Sequence, residues 1–150
     1  MLSLLRVTGA HDDFQCLTRL LDADLDARYG ALQAAYNPYN ASAALDTVVT
    51  AYVDQIPVGC GAFKPYDAAT VEIKRMFVRP EYRGQGIAGR ILAELEAWAR
   101  ELGYTAAILE TGRKQAEAIG LYTKRGYRPI ENYGQYRGMS NSVCLRQELG

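Results

Sequence analysis

Three runs rich in β-branched and aromatic residues, Thr47–Val53, Ile56–Tyr66 and Thr70–Val78, follow one another with only Asp54-Gln55 and Asp67-Ala68-Ala69 between them. Connections that short cannot cross over a sheet, so the three runs predict an antiparallel meander. The pattern then changes. After Val78 come Pro80 and the glycines Gly84, Gly86 and Gly89, and then a stripe of Ile87, Ile91, Leu92, Leu95, Trp98, Ala99 and Leu102 at helical spacing, terminated by Gly103. Thr105–Leu109 follows as a short, nearly unbroken apolar run, the pattern of a strand covered on both faces. A strand, a crossover helix and a second apolar strand predict a parallel pair joined right-handedly. The fold class is therefore α/β in the α+β sense, a mixed twisted sheet with antiparallel N-terminal strands and one parallel pair.

The rest of the chain extends this sheet. Leu2–Val7 reads as a first short strand. Phe14, Leu17, Leu20, Leu21 and Leu25 recur at helical spacing, with Asp12 or Asp13 placed to cap the start. A weaker helix is predicted over residues 31–36, ended by Asn37-Pro38 because the residue before a proline avoids the helical region. Gln115–Arg125 predicts a further helix, with Lys124 and Arg125 at its negative end and Gly126 as the stop. Tyr127–Ile130 and Ser142–Glu148 are the last two strands. About four helices flank the sheet. With no repeat, low-complexity tract or linker, residues 1–150 are expected to form one domain.

Composition excludes more than it proposes. Seventeen basic residues balance seventeen acidic ones, so no global field draws nucleic acid or an anionic membrane. Cys16, Cys60 and Cys144 are far apart and form no C-x-x-C pair, which favours free thiols in a reducing, cytoplasmic compartment over disulfides or zinc. His11 is the single histidine, leaving a histidine metal site or a Ser-His-Asp triad poorly supplied. No metal is expected. No run reaches the roughly 20 apolar residues of a membrane span. The oligomeric state is left open, a homodimer included.

The glycine-rich loop carries the chemistry. Glycines between a strand and a helix let the backbone approach a ligand, and the helix start offers unpaired N–H groups at its positive end, which suits a phosphate or pyrophosphate. Gly84-Gln85-Gly86-Ile87-Ala88-Gly89 also matches the dinucleotide pattern G-x-G-x-x-G, with Glu110 about 20 residues on. Position argues against a nicotinamide dinucleotide. Arg79–Arg83 separate the strand from the first glycine, three antiparallel strands precede it, and too little chain follows for a doubly wound sheet.

The run Met76-Phe77-Val78-Arg79-Pro80-Glu81-Tyr82-Arg83-Gly84-Gln85-Gly86-Ile87-Ala88 resembles motif A of the GNAT N-acetyltransferase superfamily, R/Q-x-x-G-x-G/A, met by Arg83, Gly86 and Ala88. Ala118–Tyr127 resembles its motif B, a helix ending in a tyrosine-bearing turn. The resemblance covers residues 47–130 well and the first 46 residues by layout alone. It implies a GNAT fold and an N-acetyltransferase that moves an acetyl group from acetyl-CoA to an amine by direct attack. The main chain of Met76, Phe77 and Val78 would bind pantetheine and thioester, and Arg83, Gly84, Gln85, Gly86, Ile87 and Ala88 would take the pyrophosphate. A catalytically silent acyl-CoA-binding or sensory module on the same fold is the alternative of another class.

Acetyl transfer needs a base for the amine, a polarised carbonyl and an acid for the leaving thiolate. The resemblance places Glu72 at the position of a catalytic glutamate in the histone-acetylating branch; its structural alternative is a pair with Lys74 on the same strand face. Tyr122 is the implied acid, against a role as a core tyrosine. Lys74 or Arg75 could orient an acidic group of the acceptor, and Glu110 could face its amine or cap a turn. The asparagine that family members often carry after the fifth strand is missing here, and Gln115 is the nearest amide. The acceptor site is expected from residues 29–40 and 132–140, whose tyrosines include Tyr29, Tyr36, Tyr133 and Tyr136. A small polar acceptor bearing its own carboxylate fits the neutral chain, with Lys74, Arg75 or Arg137 as its cation.

Overall fold

The computed structural model describes residues 1–30 and 44–150, the side chain of Tyr29 excepted. The predicted helix over 31–36 lies outside the described residues, as does Tyr36. The elements are β1 (Leu2–Val7), α1 (Asp12–Tyr29), β2 (Thr47–Val53), β3 (Ile56–Pro65), β4 (Thr70–Val78), a 3-10 turn at Pro80–Tyr82, α2 (Ile87–Glu101), β5 (Ala106–Gly112), α3 (Ala116–Lys124), β6 (Arg128–Ile130), a second 3-10 turn at Gly134–Tyr136, and β7 (Ser142–Glu148). Seven strands form one mixed sheet in the order β1-β2-β3-β4-β5-β7-β6. The only parallel pair among the described residues is β4 with β5. Its register runs from Thr70 opposite Ala106 to Ile73 opposite Leu109, and both strands continue past that point.

The β2–β3 turn works because Asp54 and Gln55 both take positive φ, 50° and 70°, the two-residue geometry that matches the twist of a hairpin. At the start of α1 the cap is not Asp12 or Asp13. His11 takes the extended conformation and its Nδ1 accepts from the Asp13 amide at 3.2 Å, supplying the short-range acceptor that an Asx side chain would. Asp13 instead accepts the Tyr52 hydroxyl at 2.7 Å, tying the helix to β2.

The residues group into two compact units, Met1–Lys64 with Lys74–Leu95, and Pro65–Ile73 with Glu96–Gly150. In the first unit β3 has two distinct faces. Cys60 and Ala62 belong to the core built by Phe14, Leu17 and Leu21 of α1 with Val48 and Phe77. Gly59 and Gly61 point the other way, since strand side chains alternate. There the first turns of α2 press close: a β-carbon on Gly61 would meet the Met76 sulfur, Leu95 Cδ1 at 2.9 Å and Ile91 Cγ2 at 3.0 Å. Two glycines at that spacing thus let α2 settle directly on the sheet and hold its N-terminus in place. In the second unit, buried Glu96 of α2 accepts the Tyr127 hydroxyl at 2.8 Å and an Arg125 nitrogen at 3.2 Å. That pairing fixes the turn after α3, where Gly126 takes φ 95°.

Candidate active site

In the first unit the chain leaves β4 through Arg79, turns at Pro80–Tyr82 and enters α2 through the glycine loop. Arg79 is held by its amide on the Val58 carbonyl, 2.8 Å, and its Nε on the Pro57 carbonyl, 2.7 Å. Arg83 folds back over this turn: Nε donates to the Val78 carbonyl at 2.8 Å, and the guanidinium lies 5.6 Å from the centre of the Phe77 ring. Leu20, Asp24, Phe77, Arg79, Pro80 and Glu81 line an open hollow beside it.

Gly84 and Gly86 take φ 80° and 79°, the left-handed region that a β-carbon disfavours, and Gln85 between them does not. Alternation of that kind turns successive N–H groups toward one side and makes an anion-binding concavity. A β-carbon at either glycine would meet none of the described residues within 4 Å, so the requirement there is for backbone conformation. The Gly86 carbonyl accepts from the Arg90 amide at 3.1 Å, which makes this glycine the residue that opens α2. It brings no side-chain cap, and the first turn holds no acidic residue to balance the helix dipole. Ile87 is buried and anchors the turn, while Ala88 is half-buried. The loop therefore presents a positive end and N–H donors to solvent, and it fits a pyrophosphate.

Arg75 interrupts β4 with φ 60°, a strained conformation for a residue with a side chain. Its side chain is 2% exposed and donates to Asp22 at 2.7 Å and to the Thr18 carbonyl at 3.2 Å, both on α1. The expectation that Arg75 orients an acidic group of the acceptor is thereby corrected, because the guanidinium is committed to the helix. Lys74 is buried, and Arg137 is exposed.

The second unit holds Glu72, Glu110, Tyr122, Tyr133 and Tyr136. Glu72, 2% exposed, accepts the Tyr133 hydroxyl at 2.7 Å. Glu110, half-buried near the end of β5, accepts the Ser142 hydroxyl at 2.7 Å. Tyr133 makes an edge contact with exposed Tyr66, ring centres 5.3 Å apart, and another with Tyr136 at 5.6 Å. The loop that brings them in is held by Asn132 Nδ2, which donates to the carbonyls of Tyr136 at 3.2 Å and Met139 at 3.0 Å. Burial is the main cause that raises the Tyr133 and Tyr136 hydroxyls well above the phenol range. Glu72 adds to it at Tyr133, and Glu110 then Glu72 at Tyr136. Tyr122 is the buried residue of α3 and packs edge-on to Tyr127 at 5.7 Å. Burial, then the Glu110 charge, raises its hydroxyl too, so it stays protonated at neutral pH.

The structure thus brings Glu72, Glu110, Tyr122, Tyr133 and Tyr136 into one unit and Met76–Val78 with Arg83–Ala88 into the other. The roles of Arg75, Asn132, Ser142 and Tyr66 were not foreseen. A charged residue in the middle of an apolar strand was the available signal for Arg75; the others carried none.

The description of the acetyltransferase (GNAT) family matches residues 14–127. The chain belongs to that family. Membership removes the nicotinamide dinucleotide as a reading of G-x-G-x-x-G. An IAA acetyltransferase of Azospirillum brasilense is 44% identical over 93 residues, 61% of this chain and 61% of that one, so the chain spans about three-fifths of that relative. A provisionally named acyl-CoA N-acyltransferase from Klebsiella pneumoniae superposes with a TM-score of 0.83 at 29% identity, covering 100% of this chain and 99% of its own. A GNAT family acetyltransferase of Elizabethkingia anophelis, solved with acetyl-CoA bound, shares the fold with a TM-score of 0.69 at 21% identity, over 98% and 97% of the two chains. Among the described residues no helix is long and apolar enough to cross a membrane.

Proposed function

We propose that residues 1–150 act as one acetyl-CoA-dependent N-acetyltransferase domain that acetylates the amine of a small polar acceptor by direct attack. The observation that carries this reading is the start of α2: two left-handed glycines with open space above them among the described residues, and no acidic residue in the first turn. Among the described residues no acidic side chain of the first turn faces that positive end, and a pyrophosphate would use it. Arg83, Gly84, Gln85, Gly86, Ile87 and Ala88 take the pyrophosphate, and the main chain of Met76, Phe77 and Val78 takes pantetheine and the thioester. Glu72 accepts the proton that the acceptor ammonium gives up. The free amine nitrogen bonds to the thioester carbon, the C–S bond breaks, the Tyr122 hydroxyl protonates the thiolate, and the second proton shed by the acylated nitrogen restores that hydroxyl. The raised affinity of Tyr122 for its proton keeps the acid loaded before that step.

The acceptor class is read from the second unit. Tyr133, Tyr136 and half-buried Glu110 surround Glu72 with hydroxyls and carboxylates, groups that recognise a polar amine. Tyr29 and Tyr36 remain part of the proposed acceptor region, and Lys74 part of its charge. Thiol release from acetyl-CoA across amino acids, polyamines, aminoglycosides and peptide N-termini tests the function. Leucine or glutamate turned over faster than spermidine identifies an acceptor bearing a carboxylate, and the reverse order a polycation. Tight binding of NAD with no binding of acetyl-CoA would overturn the assignment. Acetyl-CoA binding without turnover of any amine would leave a silent binding module.

A further inference from the structure

Tyr122 is the buried residue of α3, and among the described residues no group hydrogen-bonds its hydroxyl. Its place is therefore set through its ring and its main chain. The Tyr122 carbonyl accepts the amides of Arg125 at 3.1 Å and Tyr127 at 3.0 Å, while the Gly126 amide bonds the Thr123 carbonyl at 3.1 Å. With Gly126 at φ 95°, these are the bonds by which a left-handed glycine ends a helix. The Tyr127 ring supplies the apolar contact that accompanies such an ending, edge-on to Tyr122 with centres 5.7 Å apart. An apolar ring at position 127 would satisfy all of this. The chain instead buries a carboxylate there. Glu96 of α2, 6% exposed, turns both its oxygens on the same turn: Oε2 accepts the Tyr127 hydroxyl at 2.8 Å, and Oε1 accepts Arg125 Nη2 at 3.2 Å. Taking a carboxylate out of water is costly, and apolar packing would close the helix without it.

We propose that Glu96 is a positioning residue for Tyr122. It grips the side chains of Tyr127 and Arg125, the two residues whose amides bond the Tyr122 carbonyl, and so fixes the end of α3 and the Tyr122 hydroxyl with it. The proposal rests on Tyr122 being the acid that protonates the thiolate. The contacts are continuous and lie within one unit, from Glu96 through Arg125 and Tyr127 to Tyr122. Gln147 of β7 donates to the Arg125 carbonyl and holds the backbone of the turn, which leaves its side chains to Glu96. A proton donor needs that degree of hold, because a displacement of about 1 Å costs up to about a hundredfold in rate.

Tyr127→Phe deletes the hydroxyl, keeps the ring contact, and leaves Glu96 paired with Arg125. The grip is read first without an acceptor, by native-state amide exchange. The amides at positions 125 and 127 should exchange about tenfold faster relative to the β5 amides. No change, or an equal rise in both places, overturns the proposal. Turnover of leucine or spermidine with acetyl-CoA then separates positioning from packing. Tyr127→Phe should lower kcat about tenfold with KM for acetyl-CoA unaltered. In a Tyr122→Phe background, where no acid remains to be positioned, it should add less than about twofold. The same loss in both backgrounds means that the grip serves stability alone, and it overturns the proposal. If Tyr127→Phe does not fold, Arg125→Met removes the other half of the grip and gives the same readings. The role of Tyr122 fails separately. Tyr122→Phe as fast as wild type on leucine and spermidine, or a wild type that turns over no amine, removes Tyr122 as the acid even where the exchange result stands.

Discussion

Replacing Gly86 by valine should separate cofactor binding from folding, and the structure sets both magnitudes. With φ at 79°, a residue carrying a β-carbon is strained by about 1–2 kcal/mol. No clash with the described residues adds to that, because the new carbon meets none of them within 4 Å. For a chain of 150 residues such a loss lowers the melting temperature by about 2–8 °C, leaving a folded protein. Binding suffers more. The side chain occupies the open space above the N–H groups that open α2, where a pyrophosphate would make charge-assisted hydrogen bonds. Losing two of these, at about 1.5–3 kcal/mol each, weakens acetyl-CoA at least about a hundredfold. Gly61→Ala is the matched contrast. There a β-carbon collides with Met76, Leu95 and Ile91 in the core, and overpacking costs about 1–3 kcal/mol while the loop remains free. Titration calorimetry with acetyl-CoA alongside thermal unfolding measures both terms. Gly86→Val binding acetyl-CoA as tightly as wild type, with the modest unfolding shift present, would refute the placement of the pyrophosphate.

Three further outcomes are expected. Glu72→Gln should lower turnover by about 10²–10⁴-fold, most at low pH where the acceptor is protonated, and recover in part as free amine accumulates; a defect constant across pH marks a structural residue instead. Tyr122→Phe should lower kcat with acetyl-CoA affinity unchanged, since it removes a proton donor used only as the thiolate leaves, and an effect confined to KM contradicts that role. Asp22→Ala should cost about 1–3 kcal/mol in denaturant unfolding. That exceeds an exposed ion pair because Arg75 is 2% exposed, and falls short of a fully buried one because Asp22 is 52% exposed; no change would mean that α1 is not held through Arg75.

Much of the fold was legible because it is encoded locally. The β1, β2, β4 and β7 spans agree with the sequence expectation, since β-branched and apolar runs bounded by turn residues read as strands. The glycine loop was legible for a similar reason: positive φ at Gly84 and Gly86 is something a sequence announces by using glycine. His11 was missed as a cap because histidine carries a usable acceptor only in one tautomer, which no pattern of neighbours reveals. β5 extends to Gly112, beyond the predicted Leu109, because β7 pairs along it from Ala106 to Gly112. That partner arrives 30 residues later in the chain.

The same division explains why the left-handed glycine loop could be located from the chain alone while the arrangement around Glu72 could not. A pyrophosphate site is made of backbone, so its signature is a short run of residues that permit a conformation. The surroundings of a buried carboxylate are made of side chains from separate elements. Glu72 on β4, Tyr133 and Tyr136 on a loop some sixty residues on, and Cys144 on β7 have no spacing rule that joins them. Arg75 belongs to both classes. As a charged residue inside an apolar strand it announces that something must neutralise it. Only the fold reveals that Asp22 and Thr18 of α1 do so, and that the price is a strained turn of backbone in the strand proposed to hold the thioester. Strain at that position persists because the α1 contacts hold it, so loosening α1 through Asp22 is expected to relax the strand bearing Met76–Val78 as well as to lower stability.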